Sequence, residues 1–250
     1  MTTTTERPAA GRPIRIAGTH NFRSTAGYRA RGGSLSNRGL FRSDALDALD
    51  DSGREAFAEQ GISRVIDLRS TEELRSAPSA LPIGSVEAVH HPIFDSAGLP
   101  DAGTPISLVD VYAHVIRERV PRLAGAVGLI ADAPAGGVLV HCTAGKDRTG
   151  LVVAAALTAV GVERDQVLAD YEASGRNLAG EWAERMLDGA ERRFGPLDPS
   201  ARELLIASPA EALDRTFDLI DELHGGVVPM LRGAGLDRAA LERLEERLVD

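Results

Sequence analysis

Cys142 is the only cysteine among 250 residues, and Arg148 follows it six positions later. With 28 Lys+Arg in the chain, chance puts a basic residue at that spacing in about one such chain in nine, so the spacing alone carries little. The setting carries more. Gly137–His141 reads as a buried strand, Leu151–Val160 as an apolar helix, and Gly145 and Gly150 lie within and beyond the turn joining them. A strand–loop–helix connection of this length curls into a cradle of inward-facing amides at the helix N-terminus, and such a nest attracts an oxyanion. A cysteine at its mouth feels the same partial positive charge, with Arg148 and Lys146 beside it, which favours thiolate over thiol. Arg148 can hold two non-bridging phosphate oxygens in one planar fork, which a lysine cannot. The implied chemistry is phosphoryl transfer to sulfur. Cys142 is the candidate nucleophile, Arg148 the clamp, and the amides of Thr143, Ala144, Gly145, Lys146, Asp147 and Arg148 the oxyanion donors. Thr149 either hydrogen-bonds Cys142, easing its departure in a second step, or caps the helix. The bland alternative for a lone cysteine is a small buried hydrophobe.

The rest of the chain must position that loop. Residues 1–13 are rich in Thr, Pro and Ala and read as a mobile tail; 14–250 read as one domain, with no repeat or long linker. Gly39–Arg42, Arg64–Arg69 and Val86–Pro92 are strand candidates, the last ending in a loop around Phe94–Gly98. Capping-box spacing opens one helix at Ser52, stopping at Gly61, and another at Ser70 with Glu73, ending before Pro78. Val109, Tyr112, Ile116, Val120, Leu123 and Val127 predict one long helix over about 107–131. After Glu163 the chain reads as helices broken at Gly175, Gly195–Pro199, Pro209, Gly225 and Gly235. Strands alternating with helices, then a helical C-terminal half, predict an α/β fold: a central, mostly parallel sheet flanked by helices.

His141 to Gly150 (His-Cys-Thr-Ala-Gly-Lys-Asp-Arg-Thr-Gly) resembles the Cys-x5-Arg signature loop of cysteine-dependent phosphatases, and its Ala-Gly-Lys-Asp interior is similar to that of a bacterial tyrosine phosphatase family. Asn21-Phe22-Arg23, Leu40-Phe41-Arg42-Ser43, Val65–Arg69 and Asp170-Tyr171 fall in that family's order; Ser24 departs from it, where the family carries aspartate. The resemblance implies a cysteine-phosphatase fold and hydrolysis of phosphotyrosine through a phosphocysteine, with reach to phosphoserine, phosphothreonine or phosphoinositides.

The leaving oxygen needs a proton and the later water a base. The only tryptophan, Trp182, is followed by Ala183 and Glu184, so a Trp-Pro-Asp acid loop is absent. The resemblance points to Asp147 as the acid, with Asp95 as runner-up. Asp67, near the end of a strand beside the central one, is expected to orient Arg148 by a salt bridge or to pair elsewhere. Lys146 adds a second pocket cation, which in the family accompanies phosphoinositide activity, or else faces solvent. His141 is read as fixing the loop, and His90 and His91, on opposite strand faces, as no metal pair. Leu178, Trp182, Met186, Ala190 and Phe194 form a helical stripe, either core packing or, as the family implies, part of a two-helix lid over about 170–202. Such a lid would shield a thiolate that has no second cysteine to rescue it once oxidised.

A formal charge of −9 argues against a nucleic-acid partner, and no apolar run approaches the ~18 residues of a membrane span. Met1–Arg15 holds no apolar segment of a secretory signal, so a cytoplasmic location is expected, with export by another route left open. No cofactor or metal is called for, and a monomer is expected. A silent phosphate-binding module would have no chemical need for Cys142 and Asp147. Arsenate reductases of similar loop need further thiols, and rhodaneses favour a loop without the Asp-Arg-Thr-Gly ending.

Overall fold

Alternation along the strands divides the core in two. Val138 and Val140 pack with Leu40 and Ile66 against one set of helices, whereas Leu139 packs with Phe41, Val65 and Phe57 on the other face. Truncating Leu139 or Ile66 to alanine would cost about 2–5 kcal/mol.

The computed structural model describes residues 13–82, 84, 86–94 and 107–250. Its first elements are β1 (Arg23–Ser24), β2 (Leu40–Ser43), α1 (Asp51–Ala58), β3 (Ile62–Asp67), α2 (Thr71–Ser76), β4 (Glu87–His90), α3 (Leu108–Glu118) and α4 (Val120–Ala131). Then come β5 (Gly137–His141), α5 (Asp147–Ala159), α6 (Arg164–Asn177), α7 (Glu181–Phe194), α8 (Pro199–Ile206), α9 (Ala210–His224), α10 (Val227–Gly233) and α11 (Arg238–Leu248). The sheet order is β1-β2-β5-β3-β4, parallel except for the β1–β2 pair. The central, mostly parallel sheet flanked by helices is therefore as expected, with β5 in the middle and buried along its length. The tail (all but Pro13) and the loop beyond Phe94, including Asp95, lie outside the described residues.

Several boundaries differ from the sequence expectation. The helix over 107–131 is two helices, parted at Arg119, because Pro121 lacks an N–H and suits only a first helical turn. The cap of α1 is Asp50 rather than Ser52: its carboxylate accepts Gly53 N–H at 2.7 Å and Ser52 Oγ–H at 2.8 Å. The Ser70–Glu73 capping box of α2 is present as expected. Gly175 does not end a helix; α6 runs through it, and a side chain there would press on Ser208. The two-residue strand β1 went unread.

Candidate active site

The loop from Cys142 to Lys146 leaves the carboxyl end of β5 and enters α5 at Asp147, so the buried strand and the helix axis fix both its ends. Gly145 has φ +66°, and a Cβ there would sit 2.1 Å from the Ser43 carbonyl oxygen, so only glycine fits the turn. At Gly150 a Cβ would sit 2.9 Å from the Tyr171 ring, which sets how closely α6 can lie on α5.

The loop's carbonyls are held outward from below. Asn21 Nδ2 donates to the carbonyls of Ala144 (3.0 Å) and Gly145 (3.2 Å), Arg42 Nη2 donates to that of Gly145 (2.7 Å), and Ala45 N–H donates to that of Thr143 (3.0 Å). Turning a peptide's carbonyl one way turns the next N–H the other. The amides of residues 143–149 accordingly donate to no group among the described residues. An anion nest requires such unengaged amides.

Beneath the loop, Asp170 accepts from Arg23 Nε (3.0 Å), Arg42 Nη1 (2.6 Å) and Tyr28 Oη (3.0 Å), all of them buried. Burial opposes the Asp170 charge, but the two guanidiniums outweigh it and hold this carboxyl well below the usual carboxylate range. Burial and Arg42 lower Arg23 to about 10, which leaves it charged at neutral pH. Two guanidiniums on one carboxylate put a surplus positive charge under the nest. The scattered pieces around Asn21, Arg23, Arg42 and Asp170 thus form one foundation for the loop.

Cys142 is 2% exposed and lies on the floor of a cavity of about 310 Å³, shared with Thr143, Ala144, Asp147, Arg148 and Glu73. Phe94, Leu108 and Val111 line its walls, with Trp182 and Met186 of α7 and Leu204 and Leu205 of α8. A larger, open groove beside α1, about 690 Å³ and lined by Asp51, Arg54 and Leu81, holds no cysteine among the described residues.

Arg148 is paired with Glu73, not Asp67. Its Nη1 and Nη2 lie 2.6 and 2.8 Å from the two Glu73 oxygens, and Glu73 also accepts Thr143 Oγ1–H at 2.6 Å. Burial opposes the Glu73 charge; the Arg148 hydrogen bonds and charge, with Thr143 and the Ser70 amide, bring it down to about 2. Burial likewise opposes the Arg148 charge, and its hydrogen bonds to Glu73 raise it above its ordinary value. Asp67 instead grips Arg69, two residues on, through Nε (3.0 Å) and Nη2 (2.7 Å), and lies 3.5 Å from His141 Nε2. That fork fills the carboxylate, so the expected Asp67–Arg148 bridge is replaced. Glu73 was missed because its capping box already gave it a local task.

Lys146 neither projects into the cavity nor faces solvent. It is 1% exposed, and its Nζ donates to the carbonyls of Leu204 (2.9 Å) and Ala207 (2.7 Å) and to Asp147 Oδ1 (3.2 Å). It therefore ties the end of α8 to the loop. Thr149 Oγ1 is buried and bonds neither Cys142 nor any other described group. His141 is fully buried, with Nδ1 3.2 Å from the Cys142 carbonyl oxygen, and burial lowers its pKa. His90 and His91 bond separate carbonyls, those of Arg69 and Arg122. Along the apolar stripe, Leu178 and Trp182 are buried and Phe194 is 65% exposed. In α6, Asp170, Tyr171 and Ser174 are buried in the body, so the two helices over the cavity begin at Glu181 rather than near 170. No helix among the described residues is long and apolar enough to cross a membrane.

A strand-to-helix nest holding a cysteine six residues before an arginine defines a cysteine-dependent phosphatase loop. Residues 14–250 match the tyrosine phosphatase family, and the chain belongs to it. It is accordingly a phosphomonoester-hydrolysing enzyme. It is 31% identical, over 92% of its own length and 96% of the relative's, to the triple specificity protein phosphatase PtpB of Mycobacterium tuberculosis. It is also 27% identical to a tyrosine-protein phosphatase of Nostoc commune, covering 83% of this chain and 73% of that one.

Proposed function

We propose that this chain hydrolyses phosphotyrosine by attack of Cys142 sulfur on phosphorus. The S–P bond forms as the P–O bond to the leaving group breaks, and Asp147 gives that oxygen its proton. Water then attacks the phosphocysteine, returns a proton to Asp147, and releases phosphate and the thiolate. Arg148 and the seven free amides carry the charge of the equatorial oxygens. The observation that supports this reading is the convergence of Cys142, Arg148 and Asp147 on one cavity over that nest. Asp147 lines the cavity with its side chain 29% exposed, within reach of solvent as an acid and base must be.

Range beyond phosphotyrosine is part of the proposal: the name of the mycobacterial relative speaks of triple specificity. The apolar walls favour an aryl phosphate. Phosphoinositides are the weaker substrates here, because Lys146 is engaged with the α8 carbonyls. We take 14–250 as one domain, α7 and α8 as its lid, and the single cysteine as fitting a reducing, cytoplasmic setting. A panel of phosphotyrosine, phosphoserine and phosphoinositide substrates, compared by kcat/KM with Cys142→Ser as blank, tests the reading. Phosphotyrosine should lead, and turnover surviving in the blank would refute the assigned nucleophile.

A further inference from the structure

Asp147 presents its two oxygens unequally. Oδ1 accepts Tyr112 Oη–H at 2.6 Å and Lys146 Nζ–H at 3.2 Å; among the described residues no hydrogen bond reaches Oδ2. Tyr112 Oη lies 2.7 Å from Tyr171 Oη as well. A phenol has one hydrogen, and that of Tyr112 is spent on Asp147, so Tyr171 is the donor to Tyr112. The relay thus runs from α6 through α3 to the first turn of α5. Both rings are buried and meet edge to face, with centroids 6.2 Å apart. Burial, then the charge of Asp147, pushes both phenols above their ordinary value, so both keep their hydrogens at neutral pH.

We propose that Tyr112, braced by Tyr171, is the positioning residue of the general acid: it occupies Oδ1 and leaves Oδ2 as the oxygen that carries the proton and delivers it to the leaving group. This deepens the proposed function and rests on Asp147 being the acid. An oxygen already receiving two donors cannot also hold a proton without setting hydrogen against hydrogen. The Tyr112 hydrogen bond is of the charge-assisted kind when its acceptor is the carboxylate, and a phenylalanine in its place would remove it. Lys146 and Arg148 are the cations beside Asp147. Cys142 and Glu73 face the same cavity, and α7 and α8 present Trp182, Met186, Leu204 and Leu205 there.

The test is the pH profile of kcat/KM on phosphotyrosine and on an activated aryl phosphate, for the wild type, Tyr112→Phe and Asp147→Asn. Tyr112→Phe should move the basic limb on phosphotyrosine upward by about one pH unit, lower kcat about tenfold with little change in KM, and barely affect the activated substrate. An unmoved limb, or one uniform loss on both substrates, would overturn the proposal. Asp147→Asn separates the two readings. If it leaves the basic limb in place, Asp147 is not the acid and both readings fall. If it abolishes the limb while Tyr112→Phe leaves it unmoved, only the role of Tyr112 falls. Tyr171→Phe, which keeps the Tyr112 hydroxyl, should give a smaller shift of the same sign. Should Tyr112→Phe not fold, an unshifted Tyr171→Phe profile overturns the proposal on its own.

Discussion

Arg148 and Glu73 meet fork to fork, Nη1 2.6 Å from Oε2 and Nη2 2.8 Å from Oε1. The carboxylate in the capping box of α2 therefore also fixes Arg148, the proposed phosphate clamp, and it reaches Thr143 in the loop as well. Replacing Glu73 with Gln keeps the cap and loses the charge. We expect kcat/KM to fall between about 10- and 100-fold, since a loosened clamp misplaces the phosphoryl group.

The same pair makes stability depend on acid. Glu73 ionises at about 2 in the fold against 4.5 ordinarily, so its contribution is full above pH 4.5 and disappears as pH falls toward 2. That contribution is about 1–2 kcal/mol, because solvent screens the partly exposed pair. Urea unfolding of wild type and Glu73→Gln across pH 2–6 checks the sign: the two curves should converge at the acid end.

Cys142→Ser should abolish turnover of an aryl phosphate while vanadate or tungstate still binds, because the nest is made of backbone amides rather than of the sulfur. Calorimetric titration of the variant measures this directly. Loss of both activity and oxyanion binding would mean that the substitution disturbs the loop itself.

Asp170→Asn leaves Arg23 and Arg42 facing each other, buried, with their shared counter-charge gone. Uncompensated buried charge costs about 3–5 kcal/mol. Chemical denaturation should find a loss of that size, and activity should drop although no cavity-lining group has changed.

How much of this was legible in the sequence depends on how local each signal is. The limits of β5 match the residues read as a central strand, because an apolar run ending at the loop marks itself. The break at Arg119 was also written in the chain, in Pro121, but the apolar periodicity through Val120 and Leu123 overrode it. Lys146 could not have been placed: its acceptors are carbonyls 58 and 61 positions further on, and backbone atoms leave no signature. Of the two readings of Asp67, pairing elsewhere is the one present, because strand adjacency says which carboxylates lie near the loop, not which nearer arginine fills them first.

Trp182, Met186, Leu204 and Leu205 line the cavity from α7 and α8, and α7 carries the exposed Arg192 and Arg193. If those helices close on a bound oxyanion, tryptic cleavage at Arg192 and Arg193 should slow when vanadate is added. A time course read by mass spectrometry decides it; equal rates would make the stripe ordinary packing.

The uneven charge beneath the nest, two guanidiniums against one carboxylate, has a consequence at the bench. Under the proposed reaction the product, inorganic phosphate, should seat over that charge and act as a stabilising ligand, raising the melting temperature in proportion to the logarithm of its concentration. Preparations kept in phosphate buffer would look sturdier and less active than those kept in a neutral amine buffer, one binding event accounting for both differences.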